Sequence, residues 1–123
     1  MANEKALVDT IAKIENDVNG VIATAVVDLE SGMTLAAKSN RSDFDLTVAS
    51  AYNSELVKQK MKIMRALGLK SNLEDMVLTL TDQIHLIKIL PGNATFIYLA
   101  ADRGATNLAI LRTSVNKHTN ALD

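Results

Sequence analysis

The apolar residues follow a helical period in one long central segment. Between Ser42 and Gly68 there is no other glycine and no proline, which predicts an uninterrupted helix. Ser42 and Asp45 form an S-x-x-D start signal, and Gly68 predicts the end. Two neighbouring apolar stripes run along this helix: Ala49, Tyr52, Leu56, Ile63 and Leu67 in the first, and Leu46, Val57, Met61 and Met64 in the second. Because the two stripes cover roughly half of the helix, more than the ~100° needed to lie on one sheet, we expect a second cover besides the protein's own sheet.

Shorter amphipathic helices are predicted at both ends of the chain. Residues 4–18 carry one clean apolar stripe, and Asn3 can cap their start. Residues 105–119 form the last helix, with an apolar stripe through Leu108, Leu111 and Val115. Ile110 lies nearly opposite that stripe, so it is a candidate for contact with a partner.

Five strands are predicted between these helices, from β-branched and alternating apolar residues. They cover residues 21–28, 33–37, 75–81, 84–90 and 94–101. Glu30-Ser31-Gly32 predicts a hairpin turn, and Pro91-Gly92 carries the signature of a type II turn. The strand at 75–81 alternates between an apolar and a more polar face, which is typical of an edge strand. This order of hairpin and meander predicts an α+β fold with a five-stranded antiparallel sheet and helices on both faces.

Composition limits the classes of function. The chain has 123 residues, which predicts a single domain over 1–123, and it has no cysteine for disulfides or thiolate metal sites. A net charge of −1 and an aromatic content of 3% give no basis for nucleic-acid binding. The polar N-terminus and the lack of a long apolar run predict a cytoplasmic protein without membrane insertion.

The sequence contains no motif of a catalytic or cofactor site. The glycines form neither a P-loop nor a dinucleotide-binding fingerprint, and there is no G-x-S-x-G elbow. His85 and His118 lack the spacing of metal ligands, and His85 is better interpreted as an ordinary strand residue. We therefore expect no cofactor, no metal and no enzymatic activity.

The long helix carries an excess of basic residues. From Asp45 to Lys70 there are five basic and two acidic residues, a charge of +3, so the rest of the chain has −4. These cations are explained by a solvated helix face and a favourable dipole at the helix C-terminus. They are also explained by an electrostatic docking site for an acidic partner, for which Lys58, Lys62 and Arg65 are the candidates. We expect these three side chains to lie opposite Ala49 and to point away from the sheet.

Gly20 to Ala37 (GVIATAVVDLESGMTLAA) resembles the first hairpin of roadblock domain proteins. The similarity continues through Leu67-Gly68-Leu69 at the end of the long helix and through the meander. It ends in the segment TNLAILR, where Asn107, Leu108 and Arg112 match the family and Ala109 replaces its usual glycine.

The resemblance implies a sheet of order 2-1-5-4-3, with two helices on one face and the long helix on the other. It implies a homodimer formed through the long helix 43–67 and strand 75–81, so that Val57, Met61, Met64, Met76 and Leu78 are candidates for the dimer interface. It further implies a non-enzymatic scaffold or regulator of a Ras-like small GTPase. A dynein-associated adaptor light chain and a small-molecule sensor of the PAS or profilin-like type are the alternatives.

Overall fold

The computed structural model describes residues 3–120 and Leu122. In this part of the chain, three helices and five strands follow one another in the predicted order. They are α1 (Glu4–Asp17), β1 (Val21–Asp28), β2 (Thr34–Ser39), α2 (Leu46–Ala66), β3 (Asp75–Thr79), β4 (Gln83–Ile89), β5 (Thr95–Asp102) and α3 (Leu108–Thr119).

The strands form one antiparallel sheet of order β2-β1-β5-β4-β3. This confirms the α+β class and the strand order that the resemblance implied. Strands β1 and β5 lie in the centre and are apolar on both faces, as strands covered by helices on both sides must be. Strands β2 and β3 are the two edges of the sheet.

Two apolar clusters fill the space between the sheet and the helices. On one face, α1 and α3 contribute Ile14 and Leu111 to a cluster with β-strand residues such as Leu99. On the other face, α2 contributes Val57 to a cluster that includes Tyr98. Helix α2 packs mainly over β1 and β2, so its cover of the sheet is one-sided.

Helix α2 begins later than predicted, at Leu46, because Asp45 and not Ser42 is its N-cap. The Asp45 carboxylate accepts a hydrogen bond of 3.1 Å from the backbone N–H of Val48, one of the donors that a helix start leaves unpaired. The residues before Asp45 form a turn, so Ser42 lies outside the helix.

The end of α2 is a Schellman motif. Gly68 has a φ of +69°, a left-handed conformation that glycine adopts without strain. The backbone N–H groups of Gly68 and Leu69 donate to the carbonyls of Arg65 and Met64, both at 3.0 Å. The predicted end of the helix is therefore confirmed in its position and its cause.

Helix α3 begins at Leu108 and not at residue 105. Asn107 is its N-cap and accepts a hydrogen bond of 2.9 Å from the backbone N–H of Ile110. The residues before it form a turn, in which the N–H of Ala105 donates to the carbonyl of Asp102 at 3.1 Å. Periodicity placed the start of α3 too early, because the start depends on the cap formed by the single side chain of Asn107.

The β1–β2 turn rests directly on α2. A methyl group at Gly32 would lie 3.4 Å from the Cα atom of Ala51, so the small residues of both elements allow a close approach. Beyond the turn, β2 runs to Ser39 and contains a β-bulge opposite Val26 and Val27.

Candidate partner-binding surface

Helix α2 rests on the sheet with its second apolar stripe, and most of its first stripe is exposed. Val57 is completely buried, and Met61 and Met64 are half-buried. The exposed residues are Leu56 at 37%, Ile63 at 41%, Leu67 at 66% and Tyr52 at 74% of their accessible surface. Within the described residues, this apolar stripe is left without cover.

Small polar residues explain why this side of α2 faces the sheet and the first hairpin. Ser50 and Ser54 lie at the buried centre of the helix face. Ser54 donates to the carbonyl of Leu29, and Ser50 accepts from the Thr34 hydroxyl at 2.9 Å. These bonds satisfy the buried hydroxyls and fix the helix on the first hairpin. Counting apolar residues alone gave no sign of them.

Two of the predicted site residues therefore need correction. Val57 packs against the sheet within its own protomer, so it is not available to a second chain. Lys58 does not point freely away from the sheet: its Nζ donates to the backbone carbonyl of Glu30 at 2.6 Å and lies 3.5 Å from the Glu55 carboxylate. The cause is the orientation of α2, which turns Lys58 towards the β1–β2 hairpin.

The exposed stripe faces away from that hairpin. At about 100° per residue, Tyr52, Leu56 and Ile63 lie on the side of α2 opposite Ser54 and Lys58. Because the hairpin is at the β2 end of the sheet, this side of the helix points away from the sheet, on the flank of α2 that is nearer to the β3 edge. On β3, Met76 and Leu78 are half-buried and lie on the same face of the sheet as α2. We call the exposed stripe and these two residues the association face: Tyr52, Leu56, Ile63, Leu67, Met76 and Leu78.

Strand β3 is an open edge that could pair with another strand. The carbonyl of Glu74 accepts from the Ile89 N–H at 3.0 Å, and the Leu80 N–H donates to the Gln83 carbonyl at 2.8 Å. Since hydrogen-bonded positions alternate along an antiparallel strand, the N–H and C=O groups of Asp75, Val77 and Thr79 point outward. The other edge, β2, carries a bulge and Lys38, two features that protect sheet edges from pairing.

The remaining basic candidates are accessible. Lys62 and Arg65 are exposed on the side of α2 away from Leu56 and Ile63. Arg65 also lines an open cleft of about 240 Å³ at the C-terminal end of the helix, together with Met61, Met64 and Leu73. A cation beside thioether and aliphatic side chains can bind an acidic, partly apolar surface.

Ile110 lies on the opposite face of the molecule. It is 44% exposed and lines an open cleft of about 410 Å³ beside Asp17, Ser114 and Lys117. The Asp17 carboxylate accepts hydrogen bonds from His118 Nε2 at 2.7 Å and Ser114 Oγ at 3.1 Å, and these bonds hold the pKa of Asp17 below its usual value. The structure does not bring Ile110 together with the basic residues of α2, so the two candidate docking sites are separate.

An aromatic cluster lies beneath the start of α2. The Tyr98 hydroxyl donates to His85 Nδ1 at 3.1 Å, and His85 Nε2 donates to the Gln83 side-chain carbonyl at 2.7 Å. Phe44 packs against both rings. Burial lowers the pKa of His85 and raises the pKa of Tyr98 to about 12. Solvent exclusion thus favours the neutral form of the His85 ring, and its two partners select the tautomer with the proton on Nε2.

The described residues hold no group of three or more carboxylate or imidazole side chains placed to bind a metal ion. None of the helices in residues 3–120 is both long and apolar enough to cross a membrane.

No protein-family model matches the chain, and no curated protein matches its sequence. Solved structures do match its fold. MglB of Myxococcus xanthus superposes with a TM-score of 0.86 over 98% of this chain and 86% of that chain, at 13% identity. A gliding protein, MglB of Thermus thermophilus, has a TM-score of 0.81 over 99% and 89%, at 14% identity. A Roadblock/LC7 domain from Streptomyces avermitilis has a TM-score of 0.80 over 94% and 92%, at 14% identity. The chain therefore has the roadblock fold, as its sequence resemblance implied.

Proposed function

We propose that the protein is a non-catalytic homodimeric scaffold that binds a Ras-like small GTPase and tunes its activity or its location. The association face carries this proposal, because it combines an uncovered apolar stripe with an open strand edge. Exposed apolar surface of this kind marks sites of protein association. The roadblock fold supports the choice of partner, since the sequence resemblance to that family implies GTPase binding.

The homodimer would form by pairing β3 with β3 of a second copy. Of the antiparallel registers, the one that places Val77 opposite itself uses the outward groups of Asp75, Val77 and Thr79 on both chains. It also sets Met76 opposite Leu78 of the second copy on the α2 face. The exposed stripes of the two α2 helices then cover each other, which an isologous two-fold interface permits.

Placing a carboxylate in the exposed stripe tests the dimer. Leu56→Glu and Ile63→Glu change residues that are already partly in solvent, so each protomer is expected to keep its fold. In the dimer the new charge would be buried without a partner, and we expect dissociation constants at least about a hundredfold higher. Sedimentation at micromolar concentration measures the change.

Thr113→Glu is the matched control. Thr113 is exposed on α3, so the substitution adds the same charge away from the association face. It is expected to leave the dimer intact. A wild-type protein that sediments only as a monomer would contradict the homodimer. So would a dimer that neither stripe variant weakens.

The basic side of α2 is the proposed docking site for the GTPase. A two-fold dimer presents Lys62 and Arg65 twice, on a helix segment of charge +3 in a chain of net charge −1. Such a patch mainly raises the association rate and orients an acidic partner. Because the stripes of the two helices face each other, the two copies of Lys62 and Arg65 lie on the outer sides of the helix pair. A single GTPase that bridges both copies cannot obey their two-fold symmetry, so we expect two chains of this protein per GTPase.

Charge reversal tests this site. The double variant Lys62→Glu, Arg65→Glu is expected to slow association with the GTPase about tenfold and to reduce its salt dependence. Lys58 is left unchanged because it anchors the β1–β2 turn. The probe is a Ras-like GTPase from the same cell, loaded with a non-hydrolysable GTP analogue. Binding is followed by biolayer interferometry, and complex mass by light scattering.

Lys5→Glu, Lys13→Glu on α1 makes the same change of charge on the other face and is expected to leave binding nearly unchanged. If the α2 reversal has no effect and Ile110→Asp abolishes binding, the GTPase docks on the α1–α3 face and not on α2. A complex with one chain of this protein per GTPase would contradict the binding of a single GTPase to both copies of Lys62 and Arg65.

A further inference from the structure

Two arginines from outside the strand contact the two ends of β3. Arg112, on α3, donates through Nε and Nη2 to both oxygens of Asp75, the first residue of the strand, at 2.9 and 3.0 Å. Arg103, in the β5–α3 loop, donates through Nη1 to the backbone carbonyl of Leu80, just beyond the last residue, at 3.2 Å. Its own backbone N–H donates to the carbonyl of Asp82 at 3.0 Å. Both ends of the open edge are therefore tied to the rest of the molecule.

The Arg112 contact has the geometry of a directional link. A guanidinium that meets a carboxylate through two parallel hydrogen bonds fixes orientation as well as distance. Asp75 is the only charged residue of β3, and its side chain is mostly covered. The Arg112–Asp75 pair thus fixes the position of the first residue of β3 relative to α3.

Helix α3 is itself fixed to the neighbouring strand at the same corner. Lys88 of β4 is the register partner of Asp75. Its Nζ donates to the side-chain carbonyls of Asn116 at 2.6 Å and Asn120 at 3.1 Å, at the C-terminal end of α3. Arg112 therefore acts from a helix whose position relative to β4 is already defined.

An edge strand needs such support before it can pair. Strand β3 is five residues long and has a hydrogen-bonded neighbour, β4, on one side only. Short strands with one neighbour are among the first segments to open locally. A strand that must order itself on binding loses affinity through conformational entropy, and a preformed strand avoids this loss.

We propose that Arg112 and Arg103 are positioning residues for self-association, which hold β3 extended and in register so that its outer edge is preformed for strand pairing. This inference rests on the proposed association through β3. It assigns a role to Arg112, a residue of the TNLAILR segment that lies outside the association face.

Hydrogen exchange in a monomeric background separates positioning from association. The background is Leu56→Glu, and the amides to follow are those of Met76 and Leu78, which face β4. We expect Arg112→Gln to speed their exchange about tenfold, as expected for losing a charge-assisted bidentate contact. Exchange in the central strand β5 is expected to stay unchanged.

Association is measured in chains that keep Leu56. Arg112→Gln is expected to raise the dimer dissociation constant about tenfold, Arg112→Lys to raise it less because lysine keeps the charge without the fork, and Arg103→Gln about threefold. Asp75→Asn is expected to match Arg112→Gln, and the double variant to be no weaker than either single one. Lys117→Gln, which removes an exposed cation from the same helix, is the control and is expected to change nothing.

The outcomes are distinguishable. If Arg112→Gln leaves exchange at Met76 and Leu78 unchanged, or speeds β5 equally, the positioning role is wrong. If β3 alone loosens but the dissociation constant does not move, the arginines order the strand but have no role in association, and the proposal is wrong. If the wild type forms no dimer at all, the proposed function fails, and the exchange data still decide whether the arginines order the strand.

Discussion

His85 is a side chain whose pKa the fold lowers. The ring is half-buried beneath Phe44, where it accepts from Tyr98 and donates to Gln83. Burial disfavours the imidazolium and lowers the pKa of His85, while the nearby carboxylate of Asp82 opposes this in part. In the unfolded chain the ring has an ordinary pKa of about 6.5. The unfolded state therefore binds the proton more readily than the folded state.

The sign of the pH dependence follows from this difference. The contribution of His85 to stability is fully present well above pH ~6.5 and is lost as the pH falls through that value towards the lower pKa of the folded state. We expect urea unfolding between pH 7.5 and 5.5 to show a smaller decline for His85→Gln than for the wild type. At pH 7.5 the variant itself should cost about 1 kcal/mol through the altered bond to Tyr98. Equal declines in the two proteins would contradict this assignment.

At the scale of elements, the outer edge of β3 would determine how two copies meet in the proposed homodimer. Asp75, Val77 and Thr79 present their backbone groups outward, and in the proposed homodimer the register that uses all three would place Val77 on the two-fold axis. This register predicts that Val77 faces its own equivalent across the interface and that Thr79 does not.

The chain contains no cysteine, so single cysteines report this register directly. Directly opposed residues in a hydrogen-bonded antiparallel pair have Cα atoms about 5.5 Å apart, which a disulfide can span. Val77→Cys is expected to form a covalent dimer under mild oxidation. Thr79→Cys is the control: its equivalent on the other strand would lie about 13 Å away, too far for a disulfide. Cross-linking of Thr79→Cys but not Val77→Cys would show a different register.

The sequence predicted the positions of the helices and strands better than it predicted which side of α2 faces the sheet. Periodicity located all eight elements, and Gly68 marked the end of α2 because a left-handed residue is a local requirement. The sheet-facing side of α2 was predicted wrongly, because Ser50 and Ser54 are polar and do not register as core. Their burial depends on hydrogen bonds to Leu29 and Thr34, residues that are distant in the sequence. The same orientation ties Lys58 to Glu30, a contact that no local pattern specifies.

The molecule as a whole has one closed and one partly open face. Helices α1 and α3 cover one side of the sheet, and α2 covers mainly the β1–β2 half of the other. The uncovered half lies between the exposed stripe of α2 and the open edge of β3. A second copy that brings its own α2 and β3 would complete both the cover and the sheet, which is why we favour a symmetric partner over a small ligand.

The pairing of β1 with β5 has a consequence for how the chain reaches this shape. The centre of the sheet joins Val21 to Ala101 and Asp28 to Thr95, residues from opposite ends of the sequence. A ribosome adds roughly 5–20 residues per second, so β1 emerges several seconds before the strand that completes its pairing. During that interval the first hairpin and α2 can form only a partial nucleus with an unprotected inner edge. Folding that depends on such distant contacts is slow, and the nascent chain is most vulnerable to aggregation just before β5 leaves the exit tunnel.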